Sequence, residues 1–379
     1  MSGQPGAEHA RGRAAAAIDH GAIERNCVRL REALTGGAEL CAVIKADGYG
    51  HGALGSARAA LRGGADMLAV AAATEAAELR AALPEACLLT MGALTPDELG
   101  IALDSGSEVG VWREGFLRLV EELAAARRRP VPVHVKHDSG MGRLGTTDPY
   151  EVMALVRAAV ASPHLEAAGL WTHFATADEP DPEYLGVQLD RFSRLAETVK
   201  AEFPGIKAHA ANSAATLREP RAHFDMVRCG VAIYGLDPFG EDAAAQGLEP
   251  ALELRSYVAD VKRFGAGESA GYGRTWRAPG DTFVGVLPIG YGDGVRRGLS
   301  NNAEVLVGGR RRPLVGTVSM DNVTVDLGPR TDVRPGDPAV LIGAQGDARV
   351  TAEEWAGRLG TINYEVTCGI SPRVTRVPA

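Results

Sequence analysis

Residues 40–52 read LCAVIKADGYGHG, and this stretch decides the fold. The run Leu40 to Ile44 has the length and the unbroken apolar character of a strand buried on both faces. It stops at Lys45, a residue type that rarely stays fully buried without a partner. Asp47, Gly48, Gly50 and Gly52 then interrupt regular structure. A helical stretch, ALGSARAALR, follows and is closed by Gly63 and Gly64. Lys45 is therefore expected at the carboxyl end of a parallel strand, on the lip of a glycine-rich loop, where α/β folds bind their ligands. For a lysine taken at random, a solvated strand end is the plainer reading. Here the apolar run before it, the glycines after it and the interleaved Tyr49 and His51 favour a chemical role. A lysine among apolar walls loses hydration, which favours the neutral amine that forms Schiff bases with aldehydes. No Gly-Lys-Ser/Thr phosphate loop follows at the required spacing, which weakens a nucleotide reading.

Outward from this stretch the pattern repeats as strand, loop, helix. Apolar segments recur near Met67 to Ala71, Ala86 to Met91, Glu108 to Trp112, Val131 to Lys136, Leu165 to Phe174, Ile206 to Ala210 and Met226 to Val231. Helical patterns lie between most of them. Thr95-Pro96 reads as a capped start, and Leu185, Leu189, Phe192, Leu195 and Val199 form one apolar face. Eight units over roughly 230 residues fit a TIM barrel, whose typical size is about 250. An open doubly wound sheet is the weaker alternative. Upstream, Asp19 can cap a helix running to about Leu34. Past Gly247 the texture changes to alternating segments separated by turns, with one helical stretch from Ala352 to Leu359 behind Thr351. The expected organisation is a disordered tail over 1–13, an α/β (β/α)8 barrel over 14–246, and a mostly antiparallel β domain over 247–379.

Composition bounds the function classes. With 48 acidic against 40 basic residues the formal net charge is −8, which argues against a nucleic-acid footprint. The short arginine runs at 127–129 and 310–312 read as a helix end and a turn. Five cysteines, an odd number with no C-x-x-C, indicate neither a disulfide framework nor a zinc site. Cys41 and Cys87 lie in apolar runs and read as small core residues. The apolar run Ala14 to Ile18 is too short for a secretory core, and no stretch reaches membrane-spanning length. The chain reads as cytoplasmic, without metal, nucleic-acid or membrane chemistry.

The stretch AVIKADGYGHG resembles the lysine motif of the alanine racemases, which hold pyridoxal 5′-phosphate (PLP) on that lysine. The resemblance continues in family order from about Ile18 to Pro378. In HVKHDSGMGRLG, Arg143 resembles the arginine that orients the substrate carboxylate, a role its rigid fork suits. Lys136 matches a lysine that is carbamylated in many members, which would turn its repulsion of Arg143 into attraction. His137 and Ser139 stand where members more often carry an aliphatic residue and threonine. In LWTHFATADE, His173 matches a histidine that hydrogen-bonds the cofactor-facing arginine, and Arg228 in DMVRCGVAIYG matches that arginine. Asn212, Ser213, Gly230, Val231 and Tyr49 are implied phosphate or cofactor contacts, as is Tyr364 in TINYEV. In the β domain, Tyr272 in AGYGR matches a second catalytic base, Met320 and Asp321 a substrate-carboxylate contact, and Tyr291 in GYGDG an active-site gate.

What the resemblance implies is a PLP-dependent racemase that interconverts L- and D-alanine and supplies D-alanine for cell-wall peptidoglycan. Lys45, released from its Schiff base, would serve as base on the D side and Tyr272 on the L side. The family pairs head to tail, so Tyr272 would come from a second copy in a homodimer with shared active sites. The alternatives are a PLP-dependent racemase of another amino acid such as serine, a decarboxylase of the same barrel type, and a PLP-binding regulatory protein without turnover. Tyr272 and Met320 within a complete β domain weigh against the last.

Overall fold

The structure, a computed structural model, describes residues 12–127 and 129–379. The chain divides into two compact units, Gly21–Glu249 and the described residues up to His20 together with Pro250–Ala379.

Eight parallel strands close the first unit into a barrel. They are β1 (Glu39–Val43), β2 (Met67–Val70), β3 (Leu88–Thr90), β4 (Glu108–Val111), β5 (Val131–Lys136), β6 (Leu165–Trp171), β7 (Lys207–His209) and β8 (Met226–Cys229). Closure comes from β1 pairing with β8, Cys41 opposite Arg228. The strands are near-continuous apolar runs because helices cover one face and the packed interior the other. Helix Glu183–Glu202 buries Leu185, Leu189, Phe192, Leu195 and Val199, the stripe legible in the sequence. Each such side chain contributes about 1.5–3 kcal/mol on leaving water. Thr95 caps helix Pro96–Asp104 as expected, accepting from Glu98 N while the Glu98 carboxylate accepts from Thr95 N at 2.9 Å. The helix expected from Asp19 to Leu34 runs over His20–Glu32.

The second unit is a mostly antiparallel β structure. Its larger sheet runs Arg310–Pro313, Glu304–Val307, Pro338–Gln345, Leu252–Tyr257, Ala15–Ile18 and Thr375–Pro378, with Ala348–Val350 added to Pro338–Gln345. A three-stranded sheet holds Asp260–Phe264, Thr282–Leu287 and Val323–Gly328.

Several expectations change. Residues 14–20, assigned above to the barrel, belong to the β unit. Ala15–Ile18 pairs antiparallel with Leu252–Tyr257 and parallel with Thr375–Pro378. An apolar run so short fits any sheet, and only its hydrogen-bond partners decide which. The other boundary falls at Glu249 and Pro250 rather than Gly247. Of the tail expected to be disordered, residues 1–11 lie outside the described residues. Arg310–Arg312 is strand, not turn, with Arg311 bonded to Glu304 and Glu354. Of the other arginine run, Arg128 lies outside the described residues. Cys41 is fully buried, but Cys87 is exposed just before β3. A second helix, Asn363–Cys368, accompanies Ala352–Leu359. At six residues, with Val366 and Thr367 inside, it is too short to show a helical period.

Candidate active site

Strand β1 ends at Val43, and Lys45 opens the turn after it. This turn is left-handed. Ala46, Asp47 and Tyr49 have φ of 54°, 52° and 52°, and Gly48 lies at 62° between them. A left-handed non-glycine residue costs about 1–2 kcal/mol, so three of them need external support. Glu75 Oε1 accepts from Ala46 N at 2.6 Å, and Asp47 Oδ1 accepts from Ala53 N at 2.7 Å. Gly48 N donates to Ile44 O and Gly50 N to Ala46 O. Strain clamped in this way is a mark of functional sites.

The turn brings Tyr49 inward, buried, against β8 and the residues after it. A Cβ on Gly230 would lie 2.4 Å from Tyr49 Oη, so only glycine leaves this hydroxyl its place. Lys45 Nζ lies 5.9 Å from the centroid of the Tyr49 ring. Ser213, also buried, accepts from Gly230 N at 3.0 Å and Ala232 N at 3.3 Å. With its lone pairs so engaged, its O–H is oriented to donate. The Gly230 N–H expected to hold phosphate is thus directed at Ser213. Asn212 caps helix Ser213–Arg218 through Ala215 N at 3.0 Å. Val231 starts a buried 3-10 turn, Val231–Tyr234.

Arg228, on β8, is 3% exposed. Its Nη2 donates to Thr172 O at 2.7 Å and Ala210 O at 3.1 Å and lies 3.4 Å from His173 Nδ1. Its Nη1 donates to His209 Nδ1 at 2.9 Å. Burial lowers its pKa to about 10, so it stays a cation near neutrality. Lys136, at the end of β5, is buried with Nζ 4.0 Å from the Trp171 ring centroid, and Arg228 lies 5.0 Å from the same ring. Burial, then Arg228 and Arg143, push the Lys136 amine down to about 7. His173 is driven well below its ordinary range by burial and then by Arg228, Arg143, Lys136 and Lys45. The barrel end that carries Lys45 therefore concentrates four cationic side chains around a neutral imidazole, a field suited to an anionic ligand.

Arg143 is exposed, and its loop is shaped by Asp138. The Asp138 carboxylate accepts from Gly140 N at 2.9 Å, Met141 N at 2.7 Å and Gly142 N at 2.9 Å. Burial raises its pKa, but the backbone amides, that of Arg143 among them, outweigh this and hold it below the usual range.

In the β unit, Tyr272 lies on a turn flanked by Gly271 and Gly273, at φ 75° and 71°. It is 72% exposed. Thr317 Oγ1 donates to Tyr272 O at 2.8 Å, tying the turn to the segment that leads to Met320. The Tyr291 turn is tied to that segment too, Tyr291 N donating to Ser319 O and Gly292 N to Met320 O, both at 2.9 Å. Asp293, 1% exposed, accepts from Gly290 N and pairs with Arg13 at 2.6 Å. Asp321 pairs with Arg373 at 2.5 Å, so its side chain is held by an arginine of its own unit. Tyr364 sits half-buried on helix Asn363–Cys368, and just past that helix Ser371 donates to Gly292 O at 2.8 Å. Tyr272, Tyr291 and Met320 thus share one cluster of loops.

Reading the sequence missed Asp138, Trp171, His134, His209 and Glu108. A signal existed for the histidines, since a polar residue inside a buried apolar strand needs a partner, and Gly169 stands opposite His134 in the register.

Residues 18–238 match the family model described as alanine racemase, N-terminal domain, and residues 251–378 that of the alanine racemase C-terminal domain. An alanine racemase of Desulforamulus reducens is 40% identical over 366 residues, 96% of this chain and 98% of that protein. One of Mycobacterium avium is 42% identical over 374 residues, covering 96% of this chain and 94% of its own. The solved alanine racemase of Streptomyces coelicolor superposes with a TM-score of 0.91 at 39% identity, over 97% of this chain and 98% of its own.

Proposed function

The chain belongs to the alanine racemase family of isomerases, and on that premise we propose that it racemises alanine with PLP held on Lys45 and with Lys45 and Tyr272 as its two bases. The relatives named above give no support to serine as the preferred substrate. The observation that carries the reading is the cation-rich end of the barrel, where Lys45, Lys136, Arg143 and Arg228 act together on the half-buried His173.

These residues fit PLP. The cofactor brings a phosphate, which suits the local cations and the hydroxyls of Tyr49 and Ser213, the former seated where Gly230 lacks a Cβ. Asn212 and Val231 complete the barrel's part of the proposed phosphate shell, and His173 stands beside Arg228. When bound, PLP stabilises the negative charge left on an α-carbon that loses its proton. Arg228 would face the ring nitrogen. A guanidinium this far from deprotonation donates hydrogen bonds and yields no proton, so it moderates the electron demand there.

Racemisation needs one proton removed from one face of the α-carbon and one returned to the other. Lys45 Nζ would exchange the proton on the D side and Tyr272 Oη that on the L side. Arg143 would hold the substrate carboxylate, Asp138 would fix the Arg143 loop, and the Met320 backbone and Asp321 would reach that carboxylate from a second copy. Tyr291 would gate the entrance. The exposure of Tyr272, Tyr291 and Met320 on one loop cluster supports a head-to-tail homodimer in which Tyr272 serves a second copy's Lys45. With its pKa near 7, Lys136 is neutral often enough at physiological pH to take up carbon dioxide as a carbamate, which would then pair with the neighbouring arginines. The five cysteines stand as free thiols, which suits a reducing compartment such as the cytoplasm, and D-alanine made there would feed peptidoglycan.

The test is incubation of the PLP-loaded protein with L-alanine in D₂O. D-alanine carrying deuterium at the α-carbon is expected. The absence of both inversion and deuterium uptake, in protein that holds PLP, would refute the assignment.

A further inference from the structure

The polar contacts of Arg228 do not end at His209. His209 Nε2 lies 2.8 Å from His134 Nδ1, and His134 Nε2 lies 2.5 Å from Glu108 Oε2. The imidazoles are 0% and 1% exposed. Glu108 opens β4, so it stands at the opposite end of the barrel from Lys45, with part of its side chain in solvent. A chain of hydrogen bonds therefore runs along the barrel interior from Arg228 to the floor.

Counting protons fixes its direction. A guanidinium only donates, so His209 Nδ1 must accept. A neutral imidazole accepting at Nδ1 carries its hydrogen on Nε2, and His209 therefore donates to His134 Nδ1. By the same step His134 carries its hydrogen on Nε2 and donates to Glu108. A second proton on either ring would set two N–H groups against each other. The surroundings are built around this arrangement. Gly169 stands opposite His134, and a Cβ there would come within 2.0 Å of His134 Nδ1. Trp171 stacks on His209 with the ring planes 2° apart and donates from Nε1 to His134 O at 3.2 Å.

We propose that Glu108 is a positioning residue for Arg228: its carboxylate locks His134 and His209 as neutral Nε2–H tautomers and through them sets the orientation of the guanidinium. That this orientation matters to turnover rests on the racemase reading above; the tautomer assignment does not.

The experiment is long-range ¹H–¹⁵N spectroscopy of the PLP-loaded protein labelled in its histidines, with His134→Gln and His209→Gln to assign the signals. The wild-type protein should show both rings as single Nε2–H tautomers. Glu108→Leu should give tautomer mixtures at both rings and about a tenfold loss of turnover, the lower end of what outer-shell partners contribute. Glu108→Gln keeps an acceptor oxygen and should restore both. An Nδ1–H tautomer, a mixture or an imidazolium at either ring of the wild type would overturn the inference, whether or not Glu108→Leu folds. Unchanged tautomers and turnover in Glu108→Leu would overturn it as well. Locked tautomers in a wild-type protein that does not racemise alanine would uphold the chain of bonds and refute the racemase reading instead.

Discussion

Lys136→Met offers a quantitative check on the electrostatics of the site. An ordinary lysine titrates at 10.5, and burial followed by Arg228 and Arg143 brings Lys136 down to about 7. At about 1.36 kcal/mol per pH unit the difference corresponds to roughly 5 kcal/mol. Because the folded state binds the proton more weakly than the unfolded chain, stability rises with pH between about 7 and 10.5. Below the folded pKa the full penalty applies, and above the unfolded value it vanishes. Methionine keeps an unbranched stem against Trp171 and removes the charge. In buffers freed of carbon dioxide, urea unfolding of the wild type should gain several kcal/mol from pH 7 to pH 10 relative to the variant. Near pH 7 the variant should be the more stable protein. Bicarbonate should then stabilise the wild type alone, because a carbamate replaces repulsion from the arginines with attraction. Parallel pH profiles of the two proteins would refute the reasoning about burial. A bicarbonate effect of equal size in both would refute the carbamate.

Three further outcomes follow from particular contacts. Gly230→Ala places a Cβ 2.4 Å from Tyr49 Oη; overpacking should cost about 1–3 kcal/mol in urea unfolding and weaken PLP retention in equilibrium dialysis, and a loss below about 0.5 kcal/mol would count against it. Tyr272→Phe should abolish α-proton exchange from L-alanine while exchange from D-alanine survives better, measured by NMR in D₂O; equal losses would argue against two bases. Asp138→Asn should lower stability by about 1.5–3 kcal/mol near neutral pH and raise KM for alanine more than it lowers kcat. Because the Asp138 pKa is depressed in the folded state, its contribution holds above the unfolded carboxylate pKa and fades as pH falls through the folded one, so variant and wild type should converge in acid.

The amino-acid sequence alone determined the barrel and the β domain, since eight apolar runs of strand length alternating with helical stripes leave few other ways to bury their faces. It also determined the address of Lys45, because a charge ending an apolar strand before a glycine-rich turn has to emerge at a barrel rim. The tertiary structure decided what sequence distance hides. Ala15–Ile18 is too short to name its sheet, and its pairing with Leu252–Tyr257 and Thr375–Pro378 is fixed only when the ends of the chain meet. Ala46, Asp47 and Tyr49 give no sign of left-handed geometry, because the bond that holds Ala46 comes from Glu75 on another helix. Glu108, His134 and His209 are far apart in the chain, and barrel closure alone places them in line. Local propensity and apolar period act over a few residues and are written in the sequence. The partners of buried polar groups are set by which strands become neighbours, and that is known only once the barrel has closed.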